Sequence, residues 1–193
     1  MGSADSEAID VALRVADALE GIGTAYFVGG SVASSMQGEP RATNDIDIVV
    51  DMKMGHVSKL RQALGQDFEV DEAMLRDALL RGECANIFYL PLVMKIDLFG
   101  LAHGPFDESE FSRRQKRVVR SDGATLWMKS PEDTVLRKLI WYRLGGEVSD
   151  QQWRDIVSVL RISAAELDND YLDRWAKQLN LETLLSRARS AAV

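Results

Sequence analysis

Apolar positions recur every three or four residues over 7–20, where Ile9, Ala12, Val15, Ala16 and Leu19 share one helical face. Gly21 and Gly23 end that pattern. A short apolar run, Ala25-Tyr26-Phe27-Val28, then enters Gly29-Gly30, which reads as a buried strand running into a tight turn. Ser31 is placed to cap a short helix through Gln37, with Gly38 as its stop. After a polar loop at 39–44, residues 45–51 (DIDIVVD) alternate acid with aliphatic before turning continuously apolar. In a strand this puts Asp45, Asp47 and Val49 on one face and Ile46, Ile48 and Val50 on the other.

The pattern then predicts helices over 56–65 and 72–81, with a short strand at 68–70 between them. Residues 86–90 and 93–99, separated by Pro91-Leu92, read as neighbouring antiparallel strands. A polar stretch at 101–117 is expected to hold a short helix, and 118–128 reads as a hairpin around Asp122-Gly123. From Ser130-Pro131-Glu132-Asp133 onward the character changes. A Ser cap, a Pro in the first turn and acids at the positive dipole end start a helix that runs to Leu144. Ser149 with Gln152 opens another to about Ile162, and 169–179 and 181–190 complete an all-helical tail. A mixed α/β part thus spans residues 1–128, and a helical region packed on it spans 129–193.

Composition removes several function classes. With 193 residues, 46% of them hydrophobic, the chain is an ordinary globular size, and no apolar stretch approaches the ~20 residues of a membrane span. The first ten residues (MGSADSEAID) are acidic and polar, without the basic start and apolar core of a signal peptide, so a cytoplasmic location is expected. The formal charge of -7 disfavours strong nonspecific DNA binding. Cys84 is the single cysteine, which excludes an intrachain disulfide and a cysteine-based zinc cluster. Two histidines, His56 and His103, exclude a His-rich metal site.

Three features carry candidate chemistry. Gly29-Gly30-Ser31 at a strand-to-helix turn would let backbone approach a phosphate closely; equally it is a simple turn. Asp45 and Asp47 point the same way with Cα atoms roughly 6.5–7 Å apart, a spacing that suits hard divalent ions; the alternative is two solvent-facing acids on an edge strand. Asp97 lies within the apolar run 93–99, where an acid needs a metal or a partner, and Lys95 on the same face offers one.

Together these residues resemble the nucleotidyltransferase superfamily with the polymerase β-like fold. Val28-Gly29-Gly30-Ser31 matches its glycine turn, and thirteen residues later Asp45-Ile46-Asp47-Ile48 matches its acidic strand, with Asp97 as the third carboxylate. Arg41-Ala42-Thr43-Asn44-Asp45-Ile46-Asp47, Ser130-Pro131-Glu132-Asp133 with Lys138, and Arg154-Asp155-Ile156 resemble small bacterial stand-alone members related to AbiE-type abortive-infection toxins. The resemblance implies an α+β fold: a mixed sheet with flanking helices, followed by a C-terminal helical bundle. It implies transfer of NMP from an NTP such as ATP to an acceptor hydroxyl on RNA (tRNA included), a protein or a small molecule. Asp45, Asp47 and Asp97 would be catalytic and hold Mg²⁺ or Mn²⁺. Gly29, Gly30, Ser31, Arg41 and Lys138 would bind the nucleotide. A toxin role would bring a cognate antitoxin as partner. A catalytically silent nucleotide-binding module with the same fold is the alternative.

Residue by residue, other readings stay open. Arg41 either contacts phosphate or ties its loop to an acid such as Glu39, and Lys138 either reaches the triphosphate or is solvated. Asp155 reads as structural. Of the aromatic side chains, Trp141 or Tyr142 is the candidate for base stacking, and the rest read as packing. The cluster Arg113, Arg114, Lys116, Arg117 and Arg120 reads as the solvated face of a surface helix or as a local RNA contact.

Overall fold

In a computed structural model, which describes residues 3–193, the chain divides into two compact units. Met1 and Gly2, the start of the acidic amino-terminal segment, lie outside the described residues. One unit comprises the chain up to Val32 together with Ala42–Met128, and the other comprises Ala33–Arg41 with Lys129–Val193.

The first unit is built on a mixed sheet of seven strands: β1 (Ala25–Val28), β2 (Asp45–Asp51), β3 (Phe68–Glu69), β4 (Cys84–Tyr89), β5 (Met94–Gly100), β6 (Gln115–Val118) and β7 (Thr125–Met128). Their order is β3-β4-β5-β2-β1-β7-β6. β2 runs antiparallel to β1 and parallel to β5, so the acidic strand is central and the edge-strand reading of its carboxylates does not hold. The alternation DIDIVVD explains the central position. Ile46, Ile48 and Val50 are wholly buried, along with Ile96 and Leu98 on β5 and Tyr26 on β1. Each such side chain contributes about 1.5–3 kcal/mol by leaving water. Helices α1 (Ser3–Gly21), α3 (Val57–Leu64), α4 (Glu72–Arg81) and α5 (Pro105–Ser112) complete this unit. Phe111 of α5 packs on Phe27, their ring centroids 5.8 Å apart.

The predicted elements are present, with local shifts. α2 (Gly30–Gln37) already includes Gly30, so Ser31 lies inside its first turn and is not the cap. β4 begins at Cys84, two residues earlier than expected. The hairpin spans 115–128, so Lys116 and Arg117 sit on an edge strand rather than on a helix. Consecutive polar residues at 115–117 hid that strand, and pairing with Leu126 and Trp127 of β7 supplies it.

The second unit is helical: the end of α2, then α6 (Pro131–Leu144), α7 (Asp150–Ile162), α8 (Asn169–Gln178) and α9 (Glu182–Ala191). Its core holds Val135, Leu136, Leu139, Ile156, Val159, Leu172 and Leu181. The Pro131-Glu132-Asp133 start is tied down from both sides. Ser130 caps the Asp133 amide, Tyr171 donates to Asp133 Oδ1 at 2.6 Å, and the Asp168 amide donates to Glu132 at 2.8 Å. Among the described residues, no helix is long and apolar enough to cross a membrane.

Candidate functional site

Strand register assembles the site in the first unit. β2 and β5 are aligned so that Asp47 stands beside Asp97 and Asp45 beside Lys95, while β4 sets Asn86 beside Asp97. Because directly paired residues share a face, Asp47, Asp97 and Asn86 form a row across three strands, with Asp45 and Lys95 alongside. Asp45 is exposed and Asp47 is half-buried. The Asp97 side chain is only 13% exposed and accepts an ion pair from Lys95 Nζ at 2.9 Å through Oδ2. That bond, ahead of the charges of Asp45 and Asp47, holds the Lys95 ammonium above the ordinary lysine range. The other oxygen, Asp97 Oδ1, is buried without a hydrogen-bond partner.

The glycine turn meets this row directly. The Gly29 amide donates to the Asp47 backbone oxygen at 2.8 Å, fixing the turn to the acidic strand. Gly30 has φ +53, and a Cβ built there would lie 1.6 Å from Asp47 Oδ2. The absent side chain at Gly30 therefore makes the space that the Asp47 carboxylate occupies. Ser31 follows in the first turn of α2, where the helix N-terminus favours negative charge. Cys84, also on this face, has its thiol pushed up to about 11, first by burial and then by the charges of Asp97 and Asp47.

The donor set suits a hard divalent ion: carboxylate oxygens in register, one of them a buried oxygen with no partner. No three carboxylate, imidazole or thiol groups among the described residues are already drawn together into a cage. The Asp97 carboxylate is instead held on Lys95, and that of Asp47 rests against Gly30.

Arg41 and Lys138 belong to the second unit, where both meet Asp155 of α7. Arg41 grips it with two bonds, Nε to Oδ1 and an Nη to Oδ2, each 3.0 Å. Lys138 Nζ donates to Oδ2 at 2.8 Å, and Ser34 Oγ donates to the same oxygen at 3.2 Å. Burial alone would raise the Asp155 pKa, but its bonds to Arg41 and Lys138 outweigh burial and hold it below the usual carboxylate range. Lys138 is lowered because its burial is deeper than its ion pair can offset. With its side chain only 13% exposed, Lys138 is not solvated. Arg41 does tie its loop to an acid, but that acid is Asp155, since Glu39 pairs with Arg161.

Of the remaining candidates, Tyr142 is buried against Trp153, with ring centroids 5.2 Å apart, whereas Trp141 is 54% exposed. In the basic cluster, Arg120 is spent on Asp10 and Asp122, and Arg114 lies over the rings of Phe111 and Trp127. Lys95 and Asn86 are the neighbours of Asp97 that matter most. Lys95 was legible as the charged residue two positions before Asp97, whereas Asn86 carried no sequence signal.

No protein-family model matches the chain, and no curated protein matches it. Solved structures do. One is an antigenic nucleotidyltransferase-like protein from Paracoccidioides brasiliensis, similar at TM-score 0.59 with 17% identity over 97% of this chain and 94% of that one. Another is the antibiotic-resistance factor ANT(2'')-Ia, similar at TM-score 0.53 with 13% identity over 95% of this chain and 97% of that one. With a seven-strand mixed sheet followed by C-terminal helices, the chain has the fold of these nucleotidyltransferase-like structures.

Proposed function

We propose that this protein is a divalent-cation-dependent nucleotidyltransferase that moves NMP from an NTP to an acceptor hydroxyl. The observation that carries this reading is the pairing of Asp47 with Asp97 on adjacent parallel strands, directly beside the Gly29-Gly30 turn. The fold shared with nucleotidyltransferase-like proteins supports it. Three carboxylates kept on one face also favour turnover over a silent nucleotide-binding module.

Asp45, Asp47 and Asp97 would hold Mg²⁺, or Mn²⁺ in its place. Bound there, the cation would neutralise triphosphate charge and lower the pKa of the acceptor hydroxyl. The chain's own residues do the positioning. Gly29 spends its amide on fixing the turn to β2, and Gly30 leaves room for the Asp47 carboxylate. The α2 N-terminus with Ser31 then faces negative charge with its dipole, which suits the departing pyrophosphate. Asp97, whose side chain is only 13% exposed, would accept the acceptor hydroxyl's proton as that oxygen attacks the α-phosphate. Such transfers depend mostly on positioning and charge stabilisation. Arg41 and Lys138 would serve the nucleotide only on release from Asp155.

The acceptor is RNA such as tRNA, a protein or a small molecule. Because one similar structure is that of an antibiotic-resistance factor, antibiotics belong in the panel of small molecules to try. A toxin role, with a neighbouring antitoxin and a cytoplasmic setting, is part of the same reading. The test is to incubate the protein with α-phosphorus-labelled ATP, CTP, GTP and UTP, Mg²⁺ and cell extract. Label in a nuclease-sensitive band identifies RNA, label in a protease-sensitive band identifies protein, and label in a small product identifies the third class. Absence of label in every fraction, with an antibiotic panel included, contradicts the proposal.

A further inference from the structure

We infer that Lys95 is the built-in counter-ion of the carboxylate row, a positioning residue that an incoming divalent cation must displace from Asp97 and that thereby sets how tightly the site holds metal. The inference rests on the reading of Asp45, Asp47 and Asp97 as cation ligands.

The geometry supplies each step. Lys95 and Asp97 are two positions apart on β5, so both side chains emerge on the carboxylate face, and Nζ reaches Oδ2 at 2.9 Å. Register sets Lys95 beside Asp45 and Asp97 beside Asp47, so this ammonium, paired with Asp97, lies among three acids. Without a positive charge among them, carboxylates gathered on a half-buried face repel one another. The Lys95 side chain is 35% exposed, against 13% for Asp97. The lysine head is therefore the more solvent-accessible of the two partners. Asp97 Oδ1, on the same carboxylate, is buried without a hydrogen-bond partner. The ammonium and a divalent ion thus compete for one group: Lys95 holds Oδ2, and a metal that takes Asp97 fully must take it from Lys95.

The experiment measures Mn²⁺ binding directly, from the loss of the free-ion electron paramagnetic resonance signal, with no nucleotide present. The wild type, Lys95→Met and Lys95→Arg are compared, with circular dichroism confirming each fold. Lys95→Gln, which removes the same charge, replaces the Met variant if that fails to fold. Removing one positive charge a few ångströms from the ion should tighten Mn²⁺ binding by about tenfold or more. Lys95→Arg, which keeps the charge, should bind as the wild type does. A merely structural lysine would alter stability and leave the Mn²⁺ affinity alone. Wild-type binding with equal or weaker binding by Lys95→Met overturns the role of Lys95 while leaving the cation reading intact. Absence of Mn²⁺ binding in all variants overturns both.

Discussion

Gly30 and Asp47 occupy one space: a side chain at Gly30 would begin 1.6 Å from Asp47 Oδ2. Gly30→Ala must therefore push the carboxylate aside while also accepting φ +53, a backbone region that costs an L-residue about 1–2 kcal/mol. The variant should lose about 2–4 kcal/mol of stability in urea titrations, with the added clash included. Its Mn²⁺ affinity should fall with it. Wild-type affinity in a folded Gly30→Ala protein would mean that Asp47 does not bind metal from this position.

The three carboxylates should respond alike. Asp45→Asn, Asp47→Asn and Asp97→Asn remove charge without removing volume, so each should fold. Each should slow nucleotidyl transfer by about 10³-fold, the rate equivalent of about 4 kcal/mol of lost charge stabilisation. Chelation of divalent ions should stop the wild type, and Mn²⁺ or Mg²⁺ should restore it. Steady-state rates with circular dichroism controls check both expectations.

How much of this was legible in the sequence differs by residue. The alternation of acid and aliphatic over residues 45–48, continued by an apolar run, announced a strand with acids on one face. The Lys95–Asp97 pair was legible for the same reason, being two positions apart on one strand. Strand register was not. That Asp47 stands beside Asp97 depends on a parallel pairing with β5 across two helices and two strands, and no local pattern encodes it. Likewise Arg41 finds Asp155 across 114 positions, whereas the nearer acid Glu39 goes to Arg161. Local proximity suggested the wrong partner, since long flexible cations choose by three-dimensional geometry. The strand 115–118 was hidden for a different reason: an edge strand that opens with three polar residues lacks the hydrophobic alternation that reveals central ones.

Asp155 gathers Arg41, Lys138 and Ser34 in a site where its own side chain is 9% exposed. Replacing it by Ala takes the ion pair from the buried Lys138 ammonium and a carboxylate from Arg41, and should cost the helical unit about 3–5 kcal/mol. The pH dependence has a definite sign. Because the folded carboxyl is held below its ordinary range, its contribution is fully present above the unfolded value of about 4 and is lost as pH falls through the folded value. Urea midpoints measured from pH 7 down to pH 3 should fall for the wild type and stay flatter for Asp155→Asn. Parallel curves would show that the pair contributes nothing net.

The start of α6 offers a purely structural contrast. Asp133 accepts from Tyr171 and from its own cap Ser130, so it joins α6 to α8 within the helical unit. Tyr171→Phe leaves a buried carboxylate oxygen short of a hydrogen bond and should cost about 1–3 kcal/mol in thermal or urea unfolding. An unchanged midpoint would show that the bond at 2.6 Å adds no stability.

Nucleotidyl transfer itself is tested most directly by following both halves of the NTP in one reaction. With Mg²⁺, a responsive acceptor and an α-labelled NTP, the wild type should release one pyrophosphate for each label that becomes bound to acceptor, and Asp47→Asn should do neither. Release of inorganic phosphate in place of pyrophosphate, or equal labelling by Asp47→Asn, would contradict nucleotidyl transfer at the Asp45–Asp47–Asp97 row.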